Sequence, residues 1–88
     1  MQFDIGKCST KILLKLYEQT ISSGSLNVEL KYEDIAADLD VPLNVAQLSI
    51  AYLQDRAYIH IGDICSLSGT RFVHLKWQGV DAAERIIL

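Results

Sequence analysis

The tripeptide Asp40-Val41-Pro42 constrains the fold of this chain more than any other feature. Proline disfavours helical geometry in the residue before it, yet its fixed φ suits the first turn of a helix. One helix must therefore stop near Asp40, and another can start at once. Upstream, Ile35, Ala36 and Leu39 recur at the spacing of a single helical face. The small pair Ala36-Ala37 lets a second helix cross closely. Downstream, the run after Pro42 continues as a longer helix before YLQDRAYI leads toward a strand. Glu33 to Ile59 thus reads as a short helix, a tight turn and a longer helix that runs into a strand.

The rest of the chain sets bounds on what can surround that unit. Its 88 residues, half of them hydrophobic, suffice for one domain, residues 1–88, with a compact core that needs no disulfide or metal. No apolar run approaches the roughly 18 residues of a membrane span. The N-terminal stretch MQFDIGKCSTKILLKL is interrupted by Lys11 and Lys15 and is followed by no small-residue cleavage site. These features predict a cytoplasmic chain with no membrane partner. Cys8 and Cys65 are too few and too distant for a disulfide framework. Both sit among apolar neighbours and read as reduced, mostly buried thiols.

A first helix is expected from about Ser9, a good N-cap, to Ser23-Gly24-Ser25, where Gly24 suits a left-handed cap. Leu13, Leu16, Tyr17, Thr20 and Ile21 are its expected core stripe, and Lys7, Lys11 and Lys15 are spaced four apart. Asn27-Val28-Glu29-Leu30 alternates as a short half-buried strand does. Tyr58 to Asp63 alternates again, with Ile59 and Ile61 on one side and Tyr58 and His60 on the other. Leu67 to Thr70 carries the chemistry of a hairpin tip, with Gly62-Asp63 as a competing turn. Phe72 to Trp77 is the expected return strand, with Val73, Leu75 and Trp77 facing one way and Phe72, His74 and Lys76 the other. A closing helix from Gln78 to Leu88 has Val80, Ala83, Ile86 and Ile87 as its apolar side. Trp77 is expected as a buried anchor between sheet and helix, with Gly79 allowing the chain to turn behind it.

The predicted order is helix, strand, helix, helix, strand, hairpin tip, strand, helix. That is an α+β winged helix-turn-helix: a three-helix core with a small antiparallel sheet, the wing, and a C-terminal helix. IAADLDVPLNVAQL resembles the helix-turn-helix of winged-helix regulators, and YLQDRAYI resembles the helix end that leads into their wing. VHLKWQGVDAAERI is similar to the strand-to-helix closure of small bacterial and phage winged-helix proteins. The resemblance covers nearly the whole chain and is specific for fold. It is weakly specific for function, since winged helices bind DNA, RNA and protein alike.

Matching the motif's inward positions places Ala46, Ser49, Ile50 and Leu53 toward the core. Leu43, Asn44, Gln47, Leu48, Ala51 and Tyr52 then face outward. Asn44 and Gln47 suit bidentate contacts to adenine in the major groove, Leu48 and Ala51 suit a thymine methyl, and Tyr52 a phosphate. Lys31, ahead of the motif, and Arg71, beside the expected wing tip, are candidates for phosphate or minor-groove contacts. Against this, no Lys or Arg lies between Lys31 and Arg56, and the net charge is -3. Neutralising three or four phosphates gives weak, salt-dependent binding, which a dimer remedies by doubling the contacts. Leu43, Leu48, Ala51 and Tyr52 equally form an apolar strip, and exposing large side chains such as Leu48 and Tyr52 forfeits about 1.5–3 kcal/mol each relative to burial.

Two functions therefore stand open. One is a dimeric DNA-binding transcriptional regulator acting on double-stranded DNA. The other is a protein-interaction or dimerisation module, such as a phage or mobile-element accessory protein that binds a host factor. No nucleophile elbow, phosphate-cradling loop or HExxH is present, so no enzyme, small-molecule substrate or cofactor is expected. His60 and His74 are expected on neighbouring strands with Cys65 nearby, but their spacing fits no zinc pattern, and no metal is expected.

Overall fold

A computed structural model describes residues 4–64 and 71–87, with Asp63, Ile64 and Arg71 described by their backbone alone. The expected tip at Leu67–Thr70, and Cys65, lie outside the described residues. The chain runs α1 (Ile5–Ser23), β1 (Asn27–Leu30), α2 (Tyr32–Leu39), α3 (Leu43–Asp55), β2 (Ile59–Ile64), β3 (Arg71–Leu75) and α4 (Trp77–Ile87). The strands form one antiparallel sheet in the order β1-β3-β2.

The helix ends follow from local chemistry. Asp4, not Ser9, caps α1: its carboxylate accepts the Lys7 N–H at 3.0 Å, so the helix begins at Ile5. Gly24 ends α1 in the left-handed region, donating its N–H to the Thr20 carbonyl at 2.9 Å. α2 stops before the proline acts. Asp40 adopts φ 54°, Val41 N–H reaches the Ala36 carbonyl, and Asp40 N–H the Ala37 carbonyl. This is the Schellman arrangement, with aspartate in the place usually held by glycine. Pro42 then caps α3 through its carbonyl, which accepts from Val45 and Ala46.

The core lies where the helices and the inner face of the sheet meet. α1 contributes Ile12, Leu13 and Leu16, α3 contributes Ala46, Ile50 and Leu53, and the sheet contributes Val28, Ile59, Val73 and Leu75. Ile12, absent from the expected stripe, is fully buried, whereas Ile21 is exposed. Five positions beyond Leu16, Ile21 falls on the opposite side of the helix from the buried row. Ser9 sits inside the helix pair: its hydroxyl donates to the carbonyls of Ile5 at 2.6 Å and Ser49 at 3.1 Å, pinning α1 to α3. Lys15 pairs with Asp38 at 2.9 Å, joining α1 to α2, and Tyr17 donates to Glu84 at 2.9 Å, joining α1 to α4. Cys8 is a half-buried free thiol.

The strand pattern is met, with two corrections at its ends. Gly62 lies within β2, where the ladder shifts register between Ile61 and Ile64, so it marks an irregularity and not a turn. Trp77 is not a buried anchor; it is 69% exposed. β3 ends at Leu75, and the Lys76 carbonyl accepts from Gly79 and Val80, so the chain turns into α4 before Trp77 can continue the strand alternation. Gly79 is required by close approach, because a Cβ there would overlap the Tyr58 carbonyl oxygen.

Candidate nucleic-acid and protein interface

α3 divides cleanly into two faces. Val45, Ala46, Ser49, Ile50 and Leu53 are buried. Leu43, Asn44, Gln47, Leu48, Ala51 and Tyr52 are all exposed, as the motif alignment predicts; Val45 is an additional inward residue. The helix turns this way because Ala46 and Ser49 are small enough for α1 to cross. The Ser49 hydroxyl is satisfied within the helix by the Val45 carbonyl at 2.8 Å.

The outward residues form two rows at four-residue spacing: Leu43-Gln47-Ala51 and Asn44-Leu48-Tyr52. Each row mixes an amide with apolar groups. Leu48, at 58% exposure, is the most open of the large apolar side chains on this helix. The second row extends to Arg56, whose guanidinium carbon stands 4.9 Å from the centroid of the Tyr52 ring. This cation–π contact places a positive group at the C-terminal end of the outward face. Arg56 is not among the residues expected at this face; its four-residue spacing from Tyr52 is the signal in the sequence that points to it. At the other end, α3 starts with no side-chain cap and no acidic residue in its first turn.

The remaining candidates are less well placed. Lys31 is half-buried at the start of α2 and lines a shallow recess together with the acidic residues Glu29 and Asp34. Arg71 heads β3 opposite Leu30 on β1 and Ile64 on β2, and its side chain lies outside the described set. Lys15 is engaged with Asp38, which leaves Lys7 and Lys11 as the exposed cations of α1.

A second apolar surface adjoins the C-terminal end of the α3 rows, where Tyr52 and Ile86 line the same cleft. Val80, Ala83, Ile86 and Ile87 recur at helical spacing, but only Val80 and Ala83 are buried. Ile86 and Ile87 are 50% and 54% exposed, because α4 carries its stripe past the edge of the core. A cleft of about 310 Å³ between α1, α3 and α4, lined by Leu13, Tyr52, Tyr58, Arg85 and Ile86, lies beside this stripe. Among the described residues there is no group of three or more metal-ligating side chains, and no helix is long and apolar enough to cross a membrane.

A three-helix core whose last helix leads into a two-strand wing, closed by a third strand and a C-terminal helix, defines a winged-helix domain. The structure of Lactococcus lactis ZitR, a mutant in apo form, shares this fold with a TM-score of 0.71 over 94% of this chain at 17% sequence identity. The chain spans 56% of the length of that protein. No family model matches the sequence, and no curated protein matches it.

Proposed function

We propose that the chain is a cytoplasmic winged-helix regulator that binds double-stranded DNA as a dimer, with α3 in the major groove. The observation that supports this reading best is the outward face of α3. Asn44 and Gln47 stand exposed one turn apart on a helix whose other side is fully committed to the core. Asparagine and glutamine read adenine through paired hydrogen bonds. Arg56, held over Tyr52, and Arg71 on the wing supply phosphate contacts at either side, with Lys31 a weaker contributor. The dimer forms through Ile86 and Ile87 on α4, which leaves Asn44 and Gln47 of both copies free and doubles the phosphate contacts.

A selection from random duplex DNA at low salt, followed by titration of the enriched sequence, tests the reading. Gln47→Ala is expected to weaken binding about tenfold and relax preference at one base position, since a good bidentate pair discriminates by about 1–3 kcal/mol. Arg71→Ala and Arg56→Ala are expected to weaken binding to all sequences alike. No enrichment, and no duplex binding at micromolar protein and low salt, would remove the DNA reading.

Leu43, Leu48 and Tyr52 favour a second reading, in which the same face of α3 contacts a protein. All three are exposed, on a helix that carries no Lys or Arg. Under this reading Tyr52→Glu abolishes partner capture or self-association while DNA binding is absent from the start.

A further inference from the structure

His60 on β2 and His74 on β3 are direct register partners. Both are exposed on the face of the sheet opposite to buried Ile59, Val73 and Leu75. Facing residues in an antiparallel pair hold their Cβ atoms about 4.5–5.5 Å apart. Imidazole nitrogens bind a metal such as zinc at about 2.0–2.1 Å, so two rings on such a pair can converge on one ion. Asn27, the register partner of His74 on β1, lies 3.0 Å from it, Oδ1 to Nδ1. An amide oxygen only accepts, so Nδ1 carries the proton and Nε2 keeps its lone pair. A hydrogen bond to the far ring nitrogen is the usual means of orienting a metal-binding histidine. The His60 ring has no partner among the described residues, and both side chains are open to water that would complete a coordination shell.

We propose that His60 and His74 form a two-imidazole site for a first-row divalent transition ion on the outward face of the wing sheet, with Asn27 orienting His74. Such a site ties β2 to β3. Copper(II) is its tightest ion by the general affinity order of these metals. The proposal is independent of what α3 binds.

Titrating Cu2+ into the full chain, read by electron paramagnetic resonance and thermal melting, tests it. The expected result is one ion per chain with coupling to two imidazole nitrogens, and a melting midpoint that rises with Cu2+ because the ion favours the paired strands. His60→Ala and His74→Ala should each weaken binding at least tenfold and abolish the rise. Asn27→Ala should weaken it by about tenfold while keeping both nitrogen couplings. His60→Gln, closer to histidine in size and polarity, repeats the test if alanine loosens the strand pair. Unchanged affinity in both histidine variants, or a spectrum with fewer than two imidazole nitrogens, overturns the proposal.

Discussion

Two backbone positions govern stability at the scale of single residues, and they predict opposite signs. Gly79 packs its Cα against the carbonyl of Tyr58, which also accepts the Lys76 N–H at 2.9 Å and so is held in place. The Cβ of Gly79→Ala would press on that oxygen and on Leu75 Cδ1. Neither the turn nor the buried leucine can move without disturbing β3, so the variant is expected to lose about 3 kcal/mol, at the upper end of overpacking costs. Urea unfolding of the purified chain measures it directly. Ala57 is the converse case. It follows α3 at φ 62°, within a Schellman arrangement that runs from Tyr58 N–H to the Leu53 carbonyl and from Ala57 N–H to that of Gln54. A left-handed alanine costs about 1–2 kcal/mol. Glycine relieves this but adds freedom to the unfolded chain, which returns about 0.4–1 kcal/mol of the gain. Ala57→Gly is therefore expected to stabilise the protein by about 0.5 kcal/mol, seen as a higher urea midpoint with an unchanged slope.

At the scale of elements, what was legible in the sequence was what depends on period. Asn27–Leu30, Ile59 and Ile61, and the two faces of α3 were readable because alternation or a 3.6-residue repeat leaves a burial signature along the chain. The errors fall where tertiary packing decides. Ser9 has the chemistry of a cap, but Asp4 reaches the start of α1 first, and Ser9 instead bonds Ser49, 40 positions away. Trp77 continues a strand alternation on paper, but the turn at Lys76 lifts it out. Ile86 and Ile87 repeat the α4 stripe, yet the body they would cover ends before them. The candidate site was legible as a set of outward residues, and the four-residue spacing also pointed to Arg56 beside Tyr52; the recess that Lys31 shares with Glu29 and Asp34 depends on how β1 meets α2, which leaves no periodic signal. The link between α1 and α4 makes a prediction of its own. The hydrogen bond to Glu84, then partial burial, then the nearby carboxylate charge raise the Tyr17 pKa above the usual tyrosine value. A raised folded-state pKa stabilises the neutral phenol, so this contribution is complete below about pH 10 and is lost as pH rises through the raised value. Tyr17→Phe removes the titration. Its melting midpoint is expected to fall less steeply than that of the parent chain above pH 10, and identical alkaline profiles would count against the linkage.

For the whole molecule, the proposed DNA binding has to be reconciled with a net charge of -3. One subunit offers few free cations near α3, since Lys15 is paired with Asp38 and Lys31 shares its recess with acidic groups. Each phosphate neutralised on duplex DNA contributes about -0.9 to the slope of log affinity against log salt. A monomer with three contacts would thus show a slope near -3, and a symmetric dimer about twice that. The overhanging turn of α4 is the surface that can make the difference without covering Asn44 or Gln47, because Ile86 and Ile87 extend the apolar stripe that Val80 and Ala83 bury within the subunit. Ile86→Asp places a charge on that stripe at an already half-exposed position, so the fold should tolerate it while a subunit contact should not. In sedimentation velocity the variant is expected to run as a monomer where the parent chain runs as a dimer. Its duplex binding should fall by at least tenfold, and its salt slope should halve. Gln47→Ala should differ, remaining dimeric with an unchanged salt slope while binding its selected sequence about tenfold more weakly and losing preference at one base position. If Ile86→Asp leaves sedimentation and salt slope as they were, α4 is not the subunit contact. The exposed Leu48 and Tyr52 on α3 then become the surface that joins two copies, and the helix that pairs subunits is no longer free to enter a groove.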